Sequence, residues 1–251
     1  MRAPRGILFL YAIDVFLGAL AGTSYVVTQA LGASRIDLFR LGAESNLPTW
    51  YSTSQLLLIA LVLGALAWRD VDPRNRRTWV LALPTLLFVL LSMDEGAMLH
   101  ERLGFSLERA AGAEVGLRAT PWMLLGVPLY AALAVASFKA AKRYLTDRPD
   151  VVRLLWIGGG LFAASAVGLE LIGDTLLTHN AMGQRVIGVF EEVGEMAAAT
   201  TLLWAALRLA RWEGLGIQFN TPSPLAMDDD GPPKPDVQRQ DDLSPSSLLL
   251  G

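Results

Sequence analysis

Hydrophobic positions in this chain come in six long runs, and none of them alternates with polar positions. Ile7–Leu31, Trp50–Trp68, Thr78–Leu99, Pro121–Phe138, Leu154–Leu177 and Val186–Leu209 each approach or exceed the ~20 apolar residues that a helix needs to cross a bilayer. Backbone groups in lipid must pair within their own segment, and without alternation there is no barrel, so the pattern predicts helices. The expected fold class is all-α, a polytopic membrane bundle of six transmembrane helices. The run from Ile7 is too long for a signal sequence and ends in no small-x-small cleavage site, so it reads as the first spanning helix. Pro84 and Pro128 fall inside spans and are expected to kink them. Gly18-x-x-x-Gly22 and Gly160-x-x-x-Ala164-x-x-x-Gly168 offer small faces for close packing.

Charge sets the orientation. Arg2, Arg5, Arg69, Arg74, Arg76, Arg77, Lys139, Lys142, Arg143, Arg148, Arg153, Arg208, Arg211, Lys234 and Arg239 belong to one side. Only Arg35, Arg40, Arg102, Arg109, Arg118 and Arg185 belong to the other. The bias predicts that both termini are cytoplasmic. Trp50, Trp68, Trp79, Trp122 and Trp212 lie near span ends, where interfacial anchors are expected. From Gly214 the chain turns rich in Pro, Asp and Ser. Residues 1–213 are therefore expected to form the transmembrane domain, and residues 214–251 a disordered cytoplasmic tail. Two outer loops, Gly32–Thr49 and Glu101–Thr120, are long; the second is amphipathic and suits a short interfacial helix.

Composition narrows the chemistry. Of 251 residues, 53% are hydrophobic and 18% charged, too apolar a balance for an ordinary soluble domain. A net charge of −3 implies no nucleic-acid partner. The absence of cysteine excludes disulfides, thiolate metal sites, iron–sulfur clusters and a cysteine nucleophile. Two histidines exclude an all-histidine zinc site within one chain.

Acids nonetheless interrupt the apolar runs. Leu86–Leu91 is lipid-soluble, and then come Asp94, Glu95, His100 and Glu101 with no obvious break in the helix. Counted from the span starts at Thr78 and Leu154, Asp94 and Glu170 both lie roughly 24 Å along their helices. Glu191, Glu192 and Glu195 lie roughly 8–14 Å into the last one from its outer end. Three helices thus place carboxylates at one depth, in the outer half. Helical rotation puts Asp94 with Glu101 on one face, Glu170 with Asp174 on another, and the three glutamates within one arc. Glu95 falls about 100° away from Asp94, toward Arg102. An acid at a helix centre in lipid costs on the order of 2.5–3.5 kcal/mol, so these groups are expected to face inward. Packed carboxylates cannot all stay ionised, and shared protons, arginine partners or a bound cation must compensate them.

Three readings of this cluster compete. The leading one is a divalent metal site drawn from Asp94, Glu95, His100, Glu101, Glu170, Asp174, Glu191, Glu192 and Glu195, with Asp94, Glu101, Glu170, Glu191 and Glu195 nearest the ion. Such a metal would activate water against a lipid or small periplasmic substrate. The second is a proton- or cation-coupled transporter, which expects acids through the full depth and broken helices; only Asp14, in the inner half of the first span, lies off the outer level. The third is structural: salt bridges from Arg102, Arg109, Arg118 and Arg185, or a subunit whose acids pair with a partner in a larger complex. His100-Glu101 opens like a zinc-protease HExxH, but position 104 is Gly. No Glu-x-x-His pair of the di-iron type occurs around the acids. The glycines 158–160 lie inside a span and form no phosphate loop. Ser92, Ser165 and Thr175 have no accompanying base that would mark a nucleophile.

The stretches "LSMDEGAMLHERLG", "VFEEVGEMAAA" and "NLPTWYST" resemble a family of bacterial multi-pass membrane proteins of unassigned function. The resemblance implies a bacterial inner (plasma) membrane location and makes the acidic parts of helices three and six characteristic of the family, but it carries no activity. The two acidic stretches also suggest a three-plus-three repeat, inverted between halves.

Overall fold

An apolar helix closes its own backbone hydrogen bonds, so its ends and its small or polar positions decide how it packs. The computed structural model describes residues 2–31, 46–69, 72, 74–99, 102–103, 106, 109, 120–177 and 179–215. Its helices are α1 (Arg5–Leu31), α2 (Leu47–Arg69), α3 (Arg76–Ala97), α4 (Thr120–Tyr144), α5 (Pro149–Ala163), α6 (Glu170–Leu176) and α7 (Ala181–Trp212). A π-helical segment, Ala164–Leu169, joins α5 to α6. Among the described residues there is no strand.

Three asparagines start helices in the same way, since a short side-chain acceptor satisfies an amide that the first turn leaves open. Asn46 Oδ1 accepts from the Thr49 amide at 3.0 Å, Asn75 Oδ1 from Arg77 at 2.9 Å and Asn180 Oδ1 from Gly183 at 2.9 Å. At the other end of α3, Met98 adopts φ 55° and ψ 43°, the left-handed conformation that stops a helix. The helix expected to run on unbroken therefore ends at Ala97, and Glu101, expected to share a face with Asp94, lies outside the described residues.

All six apolar runs lie in helices. Four stretches are long and apolar enough to cross a membrane: Arg5–Tyr25, Leu47–Arg69, Arg77–Ala97 and Pro149–Gly173. The last run differs because α7 carries Arg185, Glu191, Glu192, Glu195 and Arg208 along its length. Large apolar side chains face outward, with Trp68 82% and Phe9 67% exposed. Pro84 and Pro128 lie inside α3 and α4 as expected.

α7 is the hub, packing against α1, α2, α5, α6 and the π segment, while α3 bridges α2 to α4. Ile59 and Leu66 of α2 bury against Leu81 and Phe88 of α3 and the alanine-rich half of α7, where Ala198, Ala199 and Ala205 are essentially inaccessible. Close approach needs glycine at two crossings. A Cβ at Gly18 would meet Val193 Cγ2 at 2.3 Å, and one at Gly158 would meet Leu202 Cγ at 2.7 Å. The expected small faces are thus half right: Gly22 and Gly160 meet nothing within 4 Å, and the crossing uses Gly158 instead.

At the end of the bundle rich in arginine, Glu213 gathers helix ends. Its carboxylate pairs with Arg77, lies 3.7 Å from Arg69 and accepts the Tyr144 hydroxyl at 2.6 Å. Arg208 pairs with Asp150 at 2.5 Å, and the Arg148 guanidinium lies 4.6 Å over the Trp212 ring. Burial and the Glu213 carboxylate push the Tyr144 hydroxyl up to about 12. The tail expected after residue 213 lies outside the described residues beyond Leu215, as do residues 32–45 of the first outer loop and most of the second.

Candidate functional site: two buried polar groups

The first group centres on α7. Glu191, Glu192 and Glu195 are half-buried, and among the described residues the Glu195 carboxylate lies within electrostatic range of Glu192, Glu95, Glu191 and Glu170. Three helices contribute, α3 through Glu95, α6 through Glu170 and α7 through its own three. Glu95 is fixed by Ser52 of α2, whose hydroxyl donates to Glu95 Oε1 at 2.5 Å.

The sequence reading placed Asp94 among the residues nearest an ion and Glu95 beside it as an alternate. The structure brings Glu95 to Glu195. Asp94 is 8% exposed and lies within electrostatic range of Tyr130 on α4 instead. The reason is packing: α3 has α2 on one flank and α4 on the other, and successive residues point about 100° apart. Two neighbouring acids therefore serve two different neighbours. His100 and Glu101 lie outside the described residues, and so does the Asp174 side chain, although its backbone belongs to α6. His179 is exposed in the turn after α6. Arg185, expected as a partner for the acids, lies 4.9 Å over the Tyr25 ring. Among the described residues, no three acidic or imidazole side chains close into a group that could hold a metal ion.

Glu170 owes its position to the helix interruption. A π turn takes one residue more than an α turn, which re-aims everything beyond it. The segment packs against α7 where a Cβ on Gly194 would meet Ser165 Oγ at 2.1 Å. Only glycine at 194 lets the irregular turn seat there, directly beside Glu195.

The second group lies deeper and centres on Asp14 of α1, which is 1% exposed. Tyr51 of α2 donates to Asp14 Oδ1 at 2.9 Å, and Thr200 of α7 donates to Oδ2 at 2.9 Å. Gln55 Nε2 donates to Thr200 Oγ1 at 2.7 Å, Tyr51 Oη at 3.1 Å and Asp14 Oδ1 at 3.3 Å. One turn away, Tyr11 and Thr201 hydroxyls share a hydrogen bond of 2.6 Å. The sequence reading named Asp14 but missed Tyr51, Gln55, Thr200 and Ser52. Gln55 was the available signal, an amide inside an apolar run that must find partners.

No curated protein and no solved structure matches the chain. Residues 7–210 match a family described as a domain of unknown function (DUF8692), which takes in all six apolar runs almost completely, and the chain belongs to that family.

Proposed function

We propose that this is an integral plasma-membrane protein of six spanning helices, with both termini cytoplasmic, that couples cation binding at the Glu195 group to movement of a solute. The observation that carries the reading is the set of four carboxylates, on three rods, facing Glu195. Five such groups in a membrane interior cannot all stay anionic without positive charge, supplied as arginine partners, as protons or as a cation. A coupling site is where such an exchange has consequences. The interrupted helix beside the group supports transport over a fixed cofactor site, because broken helices are the usual way a bundle builds an ion site away from water. A second acid at another depth supports it too, since a conduit needs more than one level.

The orientation rests on the arginine-rich end of the bundle, where Arg69, Arg77, Arg148 and Arg208 cluster, taken with the positive-inside bias. The carboxylates within electrostatic range of Glu195 also support a second reading, the divalent metal site with hydrolysis of a lipid or periplasmic substrate, which requires them to close further than they do among the described residues.

The test is proton release on cation addition. Purified protein in weakly buffered detergent is titrated with Na⁺, K⁺, Mg²⁺, Ca²⁺ and Mn²⁺ while a pH indicator is followed. One of these ions should displace protons from the wild type, and Glu195→Gln should lose that release. Proteoliposomes should then show a gradient of that ion driving proton movement. Silence to every ion sinks the coupling reading. Stoichiometric metal that survives purification, is lost in Glu191→Ala and Glu195→Ala, and drives no flux would transfer the site to the metal reading.

A further inference from the structure

The Asp14 group has features that the cation reading of Glu195 does not use. Asp14, Gln55 and Thr200 are 1%, 2% and 0% exposed. Every contact to the Asp14 carboxylate comes from a neutral donor. From α2 the titratable group facing it is Tyr51; on α1 itself Tyr11 is engaged with Thr201. From α7 it meets Thr200, and the nearest acid along that helix is Glu195, five residues away. A carboxylate buried so completely, with no countercharge among the described residues, calls for one unit of positive charge.

We propose that Asp14 is a proton-binding site, with Tyr51 exchanging partners as the proton arrives and leaves. Tyr51 Oη stands 2.9 Å from Asp14 Oδ1 and 3.3 Å from the Leu10 carbonyl oxygen. It has one proton and two acceptors. With Asp14 ionised, Tyr51 donates to the carboxylate. When a proton from water joins Oδ1, one O–H bond forms and one negative charge is cancelled. Asp14 then donates to Tyr51 Oη, and Tyr51 turns its own proton, which it keeps throughout, to Leu10. Both states are hydrogen-bonded without moving a heavy atom.

Gln55 supplies the independent sign. Its Oε1 is buried and has no hydrogen-bond partner, although its Nε2 touches every other member of the group. An orphaned buried acceptor is costly and needs an explanation. Ionised Asp14 explains it, because a carboxylate demands the NH₂ side of the amide. Neutral Asp14 has a single proton and gives it to Tyr51 Oη, so the orphan marks the ionised state, in which the carboxylate holds the NH₂ of Gln55 toward itself. This inference stands apart from the Glu195 reading and survives its failure.

Infrared difference spectra between alkaline and acid pH, recorded on the full chain in lipid nanodiscs, test it. The wild type should gain a carboxylic-acid carbonyl band on acidification. Asp14→Asn should remove the band, and Tyr51→Phe should keep it at a shifted frequency because one partner is gone. Glu195→Gln should keep the Asp14-dependent band at its frequency, shifting only the pH at which it appears, which separates this site from the outer one. A folded Asp14→Asn spectrum that superimposes on the wild type, with no carbonyl component lost, overturns the proposal, since bands that persist there belong to other carboxyls such as the Glu195 group. If Asp14→Asn does not fold, a Tyr51→Phe spectrum that superimposes on the wild type overturns it equally. Loss of the wild-type band on adding Na⁺ at constant pH would assign the site to sodium instead.

Discussion

Replacing Glu213 by alanine removes the acceptor on which α2, α3 and α4 converge at the end of α7. The Glu213 side chain is 10% exposed and its Arg77 partner 23%, so this pair is closer to a buried bridge than to a surface one. A charge-assisted hydrogen bond contributes about 1.5–3 kcal/mol, and the Tyr144 hydroxyl adds about 1 kcal/mol. Arg69, 40% exposed and 3.7 Å away, adds at most about 0.5 kcal/mol. Glu213→Ala should therefore destabilise the bundle by about 3 kcal/mol. Glu213→Gln keeps an acceptor for Tyr144 and should cost roughly half of that. Equilibrium unfolding in mixed detergent and SDS, followed by tryptophan fluorescence, measures both, because Trp212 sits beside the clasp with its ring 6.3 Å from that of Tyr144. A double-mutant cycle with Arg77→Ala isolates the bridge. A loss below about 0.5 kcal/mol, or a coupling energy near zero, would falsify the view that this end of the bundle is held by charge rather than by apolar packing alone.

Two further outcomes follow from single contacts. Tyr144 holds its proton up to about 12 in the folded state against 10 unfolded, so its contribution is complete below pH 10 and is lost as pH rises toward 12. Alkaline unfolding curves should show this loss in the wild type and lack it in Tyr144→Phe; identical pH profiles count against it. At the α7 crossing, Gly194→Ala should lower folded yield sharply, because its Cβ would sit 2.1 Å from Ser165 Oγ. Ser165→Gly should restore much of the yield in the double variant, measured by size-exclusion recovery, and no restoration would show that the strain lies elsewhere.

Much of the fold was legible because lipid leaves a helix few choices. Five of the apolar runs became single helices with ends within several residues of their patterns, the run from Leu154 became two joined by the π segment, and the asparagines at 46, 75 and 180 mark starts that capping chemistry requires. Rotation was not legible. Asp94 and Glu95 are both apolar-run acids, and which of them turns toward Glu195 depends on where α2 and α4 stand, which no single-helix pattern records. The π segment was invisible for a related reason. Its sequence, ASAVGL, contains no proline, and the interruption is stabilised from outside by the space over Gly194. Met98 gave no warning either, since left-handed helix ends are usually glycine and this one is methionine. The Asp14 group was half legible: the acid stood out, while its tyrosine, amide and threonine partners read as ordinary helix residues until three helices met.

The two polar groups share their scaffolding, and that has an electrostatic consequence. Ser52, which holds Glu95, and Gln55, which holds Asp14, are three residues apart on one face of α2. Thr200 follows Glu195 by five residues on α7, about 7.5 Å along the axis. Unit charges that far apart, at an effective dielectric of ~20, would interact by about 2 kcal/mol, a factor of roughly thirty in binding, and the expected coupling of the two carboxylates is at most of this order. Any such influence is reciprocal. A cation settling at Glu195 cancels repulsion that favoured a proton on Asp14, so arrival at one level promotes departure at the next. That is exchange between two sites without any large motion, and it makes Glu195→Gln informative beyond its own site. The variant should move the pH at which the Asp14 acid band appears. A band whose titration ignores that substitution would leave two polar groups in one bundle with no coupling between them.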